Sequence, residues 1–219
     1  MVDMFAEYEA ASLKRKFEML GDREFCLLRY HALTQAFDGD RILALRNFVS
    51  YANNETEYLR CPASSRKKYH LSEFGGLLLH SILVSEIYVE LLKLHGVEMD
   101  QTSARLVSLY HDMSKSGIAG VAVGDPFQPR YLPTTEEEKY RTGEDYRFNR
   151  DMTTLNLPVA SLWIVSSFVP LTAKEAQCIV AHDGLHLYQN KEYAHKLCPE
   201  ALLLQMADEM SLLYERELV

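Results

Sequence analysis

The sequence predicts an all-α fold. Apolar residues recur at helical spacing along nearly the whole chain, no run of period-two alternation stands between turn signals, and those signals fall where helices would start and stop. With 219 residues, 47% of them hydrophobic and 25% charged, the chain is long enough to bury one full core. Two parts are expected, an N-terminal helical extension over residues 1–55 and a larger helical domain over residues 56–219.

Three helices are expected in the extension: residues 3–20 closed by Gly21, 22–37 closed by Gly39, and 40–52 before Asn53 and Asn54. A basic loop running from Cys61 and Pro62 to Arg66, Lys67 and Lys68 leads into a strong helix over 72–95, with Ser72 as N-cap and Gly96 as its stop. Asp100 caps the next helix, which runs to about Ser114. Residues 117–156 contain Pro126, Pro129 and Pro133 and read as a long loop, interrupted at most by a short helix near 135–141. A loop of that length in a compact domain is usually functional or mobile. Pro158 opens a further helix with Asn156 or Leu157 at the cap position. Thr172 and Glu175 form a capping box for a helix ending at Ala181, His182, Asp183 and Gly184, and Pro199 starts the last helix. There is no internal repeat and no low-complexity segment.

A formal net charge of -8 argues against a protein that coats long nucleic acid or an anionic membrane, since both need a positive footprint. Cys26, Cys61, Cys178 and Cys198 form no CxxC pair, so reduced thiols in a cytoplasmic protein are expected rather than a disulfide framework. The N-terminus lacks the apolar core of a signal peptide. Asn156, Pro158 and Pro170 break the longest uncharged stretch, leaving about eleven helical residues where roughly 20 are needed to span a bilayer.

His80 shares a helix face with Leu77, Leu83, Val84 and Ile87 and should point inward. Gly75 and Gly76, read as helix-interior glycines, cost about 1 kcal/mol each relative to alanine and need a packing reason. An inward histidine taken singly is more often a core residue than a ligand. The adjacent His111 and Asp112 offer a nitrogen and an oxygen to one divalent ion, with Lys115 one turn later. Asp208 follows Leu202, Leu203, Leu204, Met206 and Ala207, and a carboxylate buried there needs a partner such as a metal.

Several segments carry a resemblance: Pro62-Ala63-Ser64 followed by His70, Gly75-Gly76-Leu77-Leu78-Leu79-His80-Ser81, Tyr110-His111-Asp112-Met113-Ser114-Lys115, Ala181-His182-Asp183-Gly184, and Ala207-Asp208-Glu209-Met210. Over residues 60–215 the chain resembles the HD phosphohydrolase superfamily, and locally the HD domain of a bacterial 3′-to-5′ exoribonuclease family and of phage and bacterial HD hydrolases. The resemblance implies an HD-type helical bundle holding a metal on His80, His111, Asp112 and Asp208, with Asp112, Lys115 and His182 in catalytic roles and His182 with Asp183 as candidate ligands of a second ion.

A mixed nitrogen and oxygen site suits Mn, Fe, Co, Ni or Zn better than Ca, with Mg as a harder alternative. The implied activity is hydrolysis of phosphoester bonds in nucleotides, cyclic nucleotides or short oligonucleotides; a 3′-to-5′ exonuclease and a non-catalytic nucleotide sensor are the competing readings. His70, at a matching position, Lys115, and Arg147 and Arg150 beside Tyr146 and Phe148 are the expected substrate contacts. The chain departs from the exoribonucleases in having helices where they carry an oligonucleotide-binding barrel. Asp183 also stands where they have a second histidine, and no histidine lies near Asn156, so a second metal position would be poor in nitrogen.

Overall fold

Helical periodicity is realised as ten helices among the described residues of this computed structural model, which are 2–69, 71–118, 126–184, 190–191 and 195–215. They are α1 (Val2–Ala10), α2 (Leu13–Leu20), α3 (Arg23–Gln35), α4 (Ile42–Asn54), α5 (Gly76–His95), α6 (Gln101–Tyr110), α7 (Glu136–Thr142), α8 (Leu157–Ser166), α9 (Ala173–Ala181) and α10 (Pro199–Glu215). Four short strands pair as two antiparallel ribbons, β1 (Gly117–Ile118) with β2 (Gln128–Pro129) and β3 (Tyr131–Pro133) with β4 (Tyr146–Phe148). The described part of residues 117–156 therefore holds two ribbons as well as the short helix. Strands of two or three residues are too short for alternation to show in sequence.

Three helix boundaries differ from expectation. The first helix is two, because the Ser12 hydroxyl accepts from the Arg15 N–H at 3.4 Å and starts α2 as an N-cap. The histidine-bearing helix begins at Gly76, not at Ser72. Gly75 precedes it with φ +79°, a backbone that favours glycine, and a Cβ on Gly76 would collide with the Leu71 carbonyl. The two glycines thus serve a turn and a close approach rather than a helix interior. Finally, α6 ends at Tyr110, and His111 and Asp112 lead into a 3-10 turn, Met113–Lys115.

The caps expected at Asp100, Asn156 and Thr172 are present, the last as a full capping box with Glu175. The short helix expected near 135–141 is α7, itself opened by a capping box of Thr135 and Glu138.

Apolar residues all round α5 make it the buried axis of the bundle, with α10 and α6 against it and α2 and α3 packing from the N-terminal side. One hydrophobic cluster runs from Tyr8 and Phe17 through Leu77, Leu83 and Leu106 to Leu204, so α1 to α4 share the core of the remainder. Behind His111, the buried Tyr30 and Tyr110 hydroxyls lie 2.8 Å apart and Tyr58 donates to the Leu109 carbonyl at 2.5 Å, which fixes the end of α6.

A buried charge network also ties the N-terminal helices to α5 and α6. The Glu86 carboxylate accepts from Arg29 at 2.8 Å, Arg105 at 3.3 Å and Lys16 at 3.4 Å. Burial alone would raise the Glu86 pKa, but the Arg105 and Arg29 guanidiniums outweigh it and hold the group below its usual value. All four cysteines are free thiols. Among the described residues no helix is long and apolar enough to cross a membrane.

Candidate metal centre

Separate elements bring the site together. His80 comes from one turn inside α5, His111 and Asp112 from the end of α6, His182 from the end of α9, and Asp208 from the middle of α10. The three imidazoles are completely or almost completely buried. His80, His111 and Asp112 bring one ligand atom each within 4.8 Å of one another, and so do His111, His182 and Asp208. His111 belongs to both groups. His182, expected as a catalytic or second-ion residue, is therefore part of the same five-residue cluster as the four expected ligands.

The second nitrogen of each ring gives the arrangement its chemical sense. His111 Nδ1 donates to the Ser108 carbonyl at 2.8 Å and His182 Nδ1 to the Ile179 carbonyl at 2.7 Å, each three residues back in its own helix. His80 Nδ1 donates to Glu215 Oε1 at 2.8 Å. Each Nδ1 bond leaves Nε2 directed at the cluster, the tautomer and orientation that metal-bound histidines take. His80 Nε2 lies 3.3 Å from His111 Nε2, and the buried His182 Nε2 lacks a well-aligned hydrogen-bond partner among the described residues. A buried imidazole nitrogen in that condition costs free energy unless something else satisfies it, and a metal ion does so.

The carboxylates complete the donor set. Asp112 Oδ2 is 3.5 Å from both His80 Nε2 and His111 Nε2, while its Oδ1 faces His182 Nε2 at 3.5 Å. Asp208 Oδ1 lies 3.2 Å from His80 and 3.8 Å from His111. Asp183, more exposed, reaches His182 at 3.4 Å and joins neither converging group. Lys115 Nζ sits 2.5 Å from Asp112 Oδ2.

Without an ion the cluster balances its charge with protons. Burial would lower the His182 pKa, yet the Asp112 carboxylate, 3.5 Å from its Nε2, raises it to about 9. His80 is likewise held well above its usual value, where burial is outweighed by the Glu215 charge and by contacts with Asp112 and Asp208. Burial drives His111 down to about 4, leaving it a neutral ligand. Burial would raise Asp112, but Lys115 and His111 hold it well below the usual carboxylate range. Lys115 is raised, because the Asp112 and Asp208 charges exceed the effect of burial, so it is an ammonium cation and not a base.

A metal must displace protons from His80 and His182, so binding at pH 7 should release at least one proton and affinity should rise with pH toward about 9. Calorimetry of metal binding in buffers of different ionisation enthalpy reads this directly. An observed enthalpy independent of buffer contradicts it.

Sequence reasoning missed Glu215. It is fully buried, in the last turn of α10, and orients His80. Asp208, Ser211 and Glu215 follow one another at three and four residues, which puts them on one face of the helix, and that spacing was the available signal. Glu215→Ala should weaken metal affinity by about 10–100-fold, the usual effect of losing the partner that orients a ligating histidine. Competition with a chromogenic chelator measures it, and unchanged affinity would remove Glu215 from the site.

Among the expected substrate contacts, Lys115 is at the cluster, His70 lies outside the described residues, and Arg147 and Arg150 line a separate pocket that none of the five cluster residues lines. Fold and site together define an all-helical protein with a buried histidine and aspartate cluster that could hold a metal ion. Comparison with models of protein families, with curated proteins and with solved structures finds no match.

Proposed function

We propose that the chain is a metal-dependent phosphohydrolase of the HD type, acting on nucleotides, cyclic nucleotides or short oligonucleotides. The observation that carries the reading is the convergence of three imidazoles, each with Nδ1 held elsewhere, on two carboxylates in the chain order His80, His111, Asp112, His182, Asp208.

A divalent ion held by these residues would acidify water toward neutrality and polarise a phosphoryl oxygen. The protein's own groups supply the remainder. Asp112 has one oxygen toward His80 and His111 and the other toward His182, so it can hold the ion and accept a hydrogen bond from the attacking water. Lys115, kept cationic beside it, offsets charge on the phosphoryl group. His182, its Nδ1 fixed to the Ile179 carbonyl and its Nε2 3.5 Å from Asp112 Oδ1, is placed to contact the leaving group. With Asp183 where the exoribonuclease segment it resembles has a histidine, one ion is held tightly and a second, on His182 and Asp183, only loosely.

The test is a screen of mononucleotides, cyclic nucleotides and a 5′-labelled single-stranded RNA with Mn, Co, Ni, Zn or Mg, each with and without chelator. Metal-dependent release of phosphate or nucleoside is expected. Stepwise shortening of the RNA would favour the 3′-to-5′ exonuclease, and tight metal and nucleotide binding without turnover would favour the sensor.

A further inference from the structure

The two basic segments of the chain, far apart in sequence, meet across one open pocket of about 790 Å³. Arg66 and Lys68 enter from the loop that seals onto the start of α5, and Arg141, Arg147 and Arg150 from the α7 and β4 side. The pocket is built rather than accidental. Lys67 joins its two walls, its N–H donating to Glu144 at 2.7 Å and its ammonium pairing with Asp145 at 2.8 Å. The carboxylates on the lining, Glu138 and Glu144, are both engaged. Glu138 accepts from the Thr135 N–H at 3.0 Å and lies 3.5 Å from Arg147, while Glu144 holds the Lys67 backbone. Among the described residues Arg66, Lys68, Arg141 and Arg150 make no ion pair within 4.0 Å. Like charges gathered around one concavity repel, and an anion offsets that repulsion.

The β3–β4 ribbon connects this pocket to the metal cluster. Arg130, the residue before β3, donates its N–H to the carbonyl of Ser116, the neighbour of Lys115, at 3.5 Å, and Tyr131 stands opposite Phe148 in the ribbon. At the other end Pro133 is opposite Tyr146, and Tyr146 and Phe148 both line the pocket. Neither Lys115 nor any of the five cluster residues lines the pocket, so an anion held by its arginines is a different phosphate from the one beside Lys115, and the Tyr146 and Phe148 rings on the lining can stack a base.

We propose that this pocket is a second phosphate subsite and that the substrate class is the short single-stranded oligonucleotide, whose sugar separates successive phosphates by several bonds. The assignment rests on the hydrolase reading for what happens at the cluster, but not for the binding itself. The test uses the purified full chain and a fluorescein-labelled pentathymidylate with hydrolysis-resistant phosphorothioate linkages, read by fluorescence anisotropy over a range of salt. The charge-reversal pair Arg66→Glu with Arg150→Glu should weaken Kd at least about tenfold and flatten the slope of log affinity against log salt by about 0.7 for each phosphate no longer neutralised. Metal content per chain, measured on the same samples, should not change. A Kd altered less than about twofold overturns the subsite, and equal competition by inorganic tripolyphosphate overturns the oligonucleotide in favour of a simple phosphate chain. Binding that depends on Arg66 and Arg150 in a chain that hydrolyses nothing would defeat the hydrolase reading alone. Nucleotide hydrolysis with binding indifferent to the variants would defeat the subsite alone.

Discussion

Replacing His111 or Asp112 by alanine should abolish metal-dependent phosphoester hydrolysis, with kcat/KM falling by at least about 10³-fold, or ~4 kcal/mol of transition-state stabilisation. His111 is common to both converging groups, and its ring is already fixed to the Ser108 carbonyl, so no other side chain can replace its Nε2. Asp112 faces all three imidazoles and Lys115 at once. Circular dichroism should report retained helicity in both, because α5, α6, α9 and α10 are held by apolar contacts away from the cluster. Asp112→Asn, which keeps the shape and removes the charge, should be nearly as inactive. Full activity in any of these, or of the native chain in strong chelator, would contradict the assignment.

The largest effect on stability is expected away from the metal cluster. Glu86→Ala leaves Arg29 and Arg105 without their buried counter-charge and should cost about 3–5 kcal/mol, as breaking a buried pair typically does. For a chain of this size that is a fall in Tm on the order of 10 °C. Glu57→Ala is the internal comparison. It breaks the solvent-exposed pair with Arg60, whose side chain is 49% exposed, and should cost less than about 1 kcal/mol. Equal effects of the two substitutions in thermal and urea unfolding would show that the Glu86 network does not clamp the N-terminal helices to α5 and α6.

What was legible in the sequence was whatever rests on local chemistry. Asp100, Asn156 and the Thr172 and Glu175 box each mark a helix start because a short polar side chain can satisfy the first backbone N–H groups on the spot. His80, His111, Asp112 and Asp208 stood out because each is polar at a position where its helix is apolar. What was hidden depends on distant partners. The start of α5 at Gly76 is set by the Leu71 carbonyl and by Cys61, whose carbonyl accepts from the Leu77 N–H at 3.1 Å. Helix propensity does not encode such a contact. Glu86 and Glu215 look like ordinary surface carboxylates until Arg29 and Arg105, or His80, are brought to them across 57, 19 and 135 residues of chain. The meeting of Arg66 and Lys68 with Arg147 and Arg150 is of the same kind.

Elemental analysis of the purified chain, loaded with a mixture of divalent ions and dialysed extensively without chelator, tests the central claim most directly. About one equivalent of Mn, Fe, Co, Ni or Zn should remain per chain and be lost in His111→Ala. Two equivalents retained by the native chain, with both lost in His182→Ala, would make Asp183 a competent ligand and the site binuclear. No retained metal in the native chain would contradict the account altogether.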